Sequence, residues 1–92
     1  METYEKIATK IIMEQEQIIG PIAWKEAEKV TGLHVDMATK KIHIDADALH
    51  IIDDLVIQFE RFFGQVSHEV CKDAARELIA HMRPDEIPES LK

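Results

Sequence analysis

The chain has 92 residues, 46% of them hydrophobic and 32% charged, with few aromatics, which is the balance of one globular domain and excludes a wholly disordered chain. At this length folding buries roughly 60–65% of the unfolded surface, so the margin of stability is small unless a partner adds to it. A net charge of −7 and a pI near 5.1 oppose general affinity for phosphate backbones and anionic membranes, both of which draw on clustered Lys and Arg.

Cys71 is the only cysteine, which rules out an internal disulfide and suits a reducing compartment. The opening residues, METYEKIATK, hold no unbroken apolar run, and no segment nears the roughly 18 apolar residues that span a bilayer. A cytoplasmic protein is expected, with no membrane association and disorder confined to the chain ends.

From Glu2 to Ile19 the spacing of Tyr4, Ile7, Ile11 and Ile18, with Ala8, Ile12 and Ile19 beside them, predicts an amphipathic helix. Gly20 closes it and Pro21 suits the first position of a second helix, where its missing N–H removes no bond. That helix is expected to run to about Thr31, with Ile22, Ala23, Ala27 and Val30 inward and Trp24 sealing the core beyond the corner. In LHVDMATKKIHID, Leu33 and Val35 alternate with His34 and Asp36, and Ile42 and Ile44 with His43 and Asp45. The alternation predicts a hairpin turning at Met37 to Lys40, with Leu33 opposite Ile44, His34 opposite His43 and Val35 opposite Ile42.

A third helix is expected to start near Asp45 or Asp47, with Leu49, Ile52, Leu55, Val56, Phe59, Phe62 and Phe63 on a broad apolar face. Gly64 interrupts it, and a fourth continues through Val66, Val70, Ala74, Leu78 and Met82. Pro84 and Pro88 then end regular structure, leaving 84–92 as a tail or short final turn. The expected fold is thus mainly α, of the α+β kind: two helix pairs with a β-hairpin at about 33–45 between them, order ααββαα, one domain over 1–83. Slid by 44 residues, the interval from Gly20 to Gly64, the halves align apolar on apolar, as an internal repeat or as a chance likeness of two amphipathic helix pairs.

Chemistry is sparse. The hairpin places His34 and His43 on one face with Asp36 and Asp45 beside them, a donor set for a divalent metal, or else simply a solvated face; His50 and Asp53 lie close enough in sequence to extend the set. His68, Glu69 and Cys71 fall near a helix start, where a thiol can be activated, yet Cys71 continues the apolar series and reads as an inert core residue. No nucleophile elbow, zinc-protease histidine pair or phosphate-cradling loop is present, and no catalysis or cofactor is expected. The phrase AEKVTGLHVDMATKKI has the look of a helix-turn-helix, with Lys40 and Lys41 toward phosphate, although the acidic charge and the β-like alternation oppose nucleic-acid binding.

The stretch IIGPIAWKEAEKV resembles small helical domains of unknown function associated with bacterial signalling proteins, in which a helix ends in an Ile-Gly-Pro-Ile-Ala corner. The resemblance covers Ile11 to Val30 and, more loosely, Leu55 to Leu78. It implies an accessory role in protein interaction or regulation, with no catalytic residue to transfer. A surplus of large apolar residues, Ile51, Ile57, Phe59, Phe62, Phe63 and Ile79, all round their helices points to a homodimer or a protein partner, with Trp24, Phe59, Phe62 and Phe63 as candidate interaction residues. A DNA-binding regulator and a small metal-binding domain are the competing expectations.

Overall fold

The structure, a computed structural model, describes residues 2–45 and 47–92. Helix α1 (Glu2–Ile19) is followed by α2 (Ile22–Glu28), strands β1 (Leu33–Asp36) and β2 (Lys41–Ile44), α3 (Ala48–Phe63) and α4 (Gln65–Ile79). The mainly helical ααββαα order is therefore the one its periodicities predict. Among the described residues no helix is long and apolar enough to cross a membrane.

The hairpin has the expected register, Leu33 against Ile44, His34 against His43 and Val35 against Ile42. Leu33, Ile42 and Ile44 are buried while His34, Asp36 and His43 face solvent, so one pleated face lies on α1 and α2. This also removes the helix-turn-helix reading, since the residues required for a recognition helix form strands and a turn. Lys40 does not reach outward for phosphate: its ammonium lies 3.5 Å from Glu16 and 4.7 Å from the centre of the Trp24 ring.

Helix α1 packs along α4, α3 against α4 and α1 against α2. The shared core holds Ile7, Ile11, Ile12, Trp24, Ile52, Leu55, Val56, Phe59 and Cys71. Asp47 caps α3, its carboxylate accepting from His50 N at 3.4 Å. Helix α2 is shorter than expected: Lys29 N and Val30 N bond to Glu26 O and Ala27 O, tightening the chain into a turn before Gly32.

Pro84 and Pro88 do stop the helical run, but the residues after them fold back as two 3-10 turns, Pro84–Glu86 and Glu89–Leu91. Pro88 and Leu91 are fully buried against the main core. Asp53 Oδ1 accepts from Ser90 N at 2.9 Å and from Ser90 Oγ at 2.6 Å, and Tyr4 Oη donates to Glu86 O at 2.7 Å. The final turn is thus part of the domain, covering α3 and α4 as the hairpin covers α1 and α2.

Candidate interaction surface

The two corners are built alike. At the first, Gly20 at φ +83° closes α1 through Gly20 N to Glu16 O at 2.9 Å, and Ala23 N opens the next helix by donating to Gly20 O at 3.1 Å. At the second, Gly64 at φ +82° donates to Glu60 O at 2.9 Å, and Ser67 N donates to Gly64 O at 3.0 Å. Only glycine takes that φ at little cost, so each helix stops and restarts at a fixed angle.

The corners also lie at the same end of the molecule. Gln15 Nε2 donates to Ser67 O at 3.0 Å, which sets the last turns of α1 beside the first turn of α4. Gln58 Nε2 donates to Glu26 Oε1 at 3.1 Å and joins α3 to the last turn of α2. Each corner leaves a pair of large apolar side chains in water: Ile18 and Ile22 at 61% and 47% exposure, Phe62 and Val66 at 54% and 73%. Lys29 Nζ stands 5.6 Å from the centre of the Phe62 ring and so borders this end with positive charge.

Of the four aromatic interaction candidates, Trp24 and Phe59 lie inside the core of one chain, Phe63 is half-buried and Phe62 is exposed. The apolar surplus is correspondingly smaller than the sequence suggests, because Ile51 and Phe59 are buried and Ile79 partly so. Ile18, Ile22 and Val66, expected inward, are instead exposed: they continue the apolar stripes but fall at helix ends, beyond the reach of the facing helix. Val70 is half-buried and Ser67 and Ala75 take inward places on α4.

The hairpin residues meet in part. The rings of His34 and His43 stack with centres 6.2 Å apart, and Asp45 lies 2.7 Å from His34 Nε2 and 3.5 Å from His43 Nε2. Glu5 on α1 joins them, 3.5 Å from His43 Nδ1. Asp36 is turned away, its Oδ1 accepting from Ala38 N and Thr39 N within the turn. His50 pairs with Asp54, and Asp53 is taken by Ser90. Among the described residues no group of three or more His, Cys, Asp or Glu is placed to hold a metal ion.

Cys71 is buried, with Gln15 Nε2 donating to its sulfur at 3.5 Å, and burial pushes the thiol up to about 11. Such a thiol is protonated at neutral pH and a poor nucleophile. His68 instead ties elements together, Nδ1 2.8 Å from Glu60 and Nε2 donating to Ser90 O at 2.6 Å, while Glu69 is exposed. Comparison with protein-family models, curated proteins and solved structures finds no match to this chain.

Proposed function

We propose that this is a non-catalytic interaction module that acts as a homodimer, joined through its corner end, in a cytoplasmic regulatory role of the kind the Ile-Gly-Pro-Ile-Ala corner suggests. The observation that carries the reading is the exposure of Ile18, Ile22, Phe62 and Val66 at one end of the molecule. Two like corners at one end offer a surface suited to pairing with a second copy about a two-fold axis, where every contact of one residue with another is made twice. Burying them stabilises such a pair by about 1 kcal/mol per half-exposed side chain, which supports a dimer in the micromolar range once the surrounding area is included.

Sedimentation equilibrium tests this directly. The wild-type chain is expected to be dimeric at micromolar concentration and the Phe62→Glu, Val66→Glu double variant monomeric, with the same far-UV circular dichroism. A wild-type chain that stays monomeric, or a double variant that stays dimeric, removes the proposal.

A further inference from the structure

Away from the corner end, an open groove of about 610 Å³ follows the outer side of α1 between β2 and Leu78 of α4. Met13, Ile42 and Leu78 supply its apolar lining, and Met13 is 48% exposed. Lys6 and Lys10 line it from α1 and Lys40 and Lys41 from the hairpin, so four of the chain's eleven Lys and Arg border one groove of a protein with net charge −7. Among the described residues one carboxylate lines the groove, that of Glu5, and it is engaged by Ile44 N at 3.1 Å and by His43.

The lysines differ in what they offer. Lys40 is held by Glu16 and the Trp24 ring, which fixes its stem as a wall. Lys10 approaches Glu14 at 4.0 Å, with about half of each side chain in water, and shares an adjoining hollow with Asp73, Arg76 and Glu77; Lys41 meets no carboxylate among the described residues. Lys6 and Lys10 sit one turn apart on α1, about 6 Å along its axis, with Lys41 across the groove. Lys6, Lys10 and Met13 share one face of α1, and Lys40 and Lys41 line the groove from the hairpin, so cationic and apolar groups are interspersed along it instead of the charge gathering at one end.

We propose that this groove docks an acidic amphipathic helix of a partner protein, its apolar residues on Met13 and Leu78, beside the edge of Ile42, and its carboxylates facing Lys10 and Lys41. A helix carries charges one turn apart beside an apolar stripe, which is the pattern the groove complements. A fatty acid has a single charged end and needs enclosure, whereas this groove is open and charged along its length. A nucleic acid has charge without an apolar stripe and is repelled by the rest of the surface. The proposal rests on the interaction-module reading but not on the dimer, since the groove and the corners are different surfaces.

The test is fluorescence anisotropy at low salt with a labelled synthetic helix of four turns, Leu on one face, Glu on both flanks, Ala and Gln elsewhere. Micromolar binding that weakens with salt is expected, falling by about tenfold or more in the Lys10→Glu, Lys41→Glu variant and again in Met13→Glu. The Phe62→Glu, Val66→Glu variant is expected to bind as the wild type does, which separates this proposal from the dimer. Methyl chemical-shift changes at Met13, Ile42 and Leu78 on titrating the wild-type chain give a readout independent of variant folding. Absence of binding at millimolar peptide overturns the proposal. So do equal binding of polyglutamate, of a single-stranded oligonucleotide or of the Lys-flanked version of the helix, displacement of the helix by decanoate, and shifts confined to the corners.

Discussion

Gln15, Ser67 and Cys71 form a small polar cluster in an otherwise apolar core, and its chemistry is set by burial. Gln15 Nε2 donates to Ser67 O and to Cys71 Sγ, and Ser67 Oγ donates to Gln15 Oε1 at 3.4 Å, so the amide is satisfied although fully buried. Loss of solvation pushes the Cys71 thiol from an ordinary 9.0 to about 11; the Gln15 hydrogen bond pulls it down and the Glu60 carboxylate pushes it up. A group that holds its proton more tightly when folded contributes stability that is complete below the unfolded pKa and is lost as pH rises through the folded one. The folded state is therefore expected to lose about 2–3 kcal/mol between about pH 9 and 11 through this thiol alone. Urea unfolding of the wild type and of Cys71→Ala across that window checks it: the variant starts lower because of the smaller side chain, and its alkaline decline is shallower. Parallel declines in the two proteins would assign the alkaline loss to other groups.

At the scale of elements, the corners are fixed by backbone geometry and not by crowding. A Cβ added at Gly20 or Gly64 would meet nothing within 4 Å, so the cost of alanine there is the cost of φ near +80° for an L residue. Gly64→Ala is expected to destabilise by about 1–3 kcal/mol, and Gly64→Asn by no less, because ψ −177° puts this backbone outside the left-handed region that asparagine tolerates. Thermal unfolding of the three proteins gives the order, and a neutral Gly64→Ala would show that the corner can relax. These glycines, the hairpin register and the Asp47 cap were legible in the sequence because each is a local signal. Other features were not, because they depend on distant segments. Gln15 reads as a polar interruption until Ser67, 52 residues away, supplies its partner. Pro84 and Pro88 read as stops, and nothing local tells that Pro88 and Leu91 are buried or that Asp53 holds Ser90. The groove joins Lys6 and Lys10 to Lys40 and Lys41 only once the hairpin lies back on α1.

For the whole molecule, the likeness of the halves extends from the turns to the pattern of burial. Residues 44 apart share their environments: Ile7 and Ile51, Ile11 and Leu55, Ile12 and Val56, Ala27 and Cys71, and Ile44 and Pro88 are buried in both halves. Met13 and Ile57, Ile18 and Phe62, and Ile22 and Val66 are exposed in both. Yet neither half encloses a core of its own. Gln15 of the first reaches Ser67 and Cys71 of the second, Gln58 of the second reaches Glu26 of the first, and Tyr4 at one end of the chain holds Glu86 at the other. Interlocked halves unfold together, so Trp24 fluorescence, reporting the first half, and far-UV circular dichroism, dominated by the longer helices of both, are expected to give one coincident urea transition with a slope of about 1 kcal/mol per molar. Cut between the halves, a fragment of residues 1–45 is expected to lack stable helix alone, since an isolated helix and a two-stranded hairpin are each marginal in water. Mixed with a fragment of 47–92 it regains helical signal, because each supplies the apolar face the other lacks. A fragment 1–45 that folds cooperatively by itself would show instead that each half is an autonomous unit and that the contacts between them only dock two finished pieces.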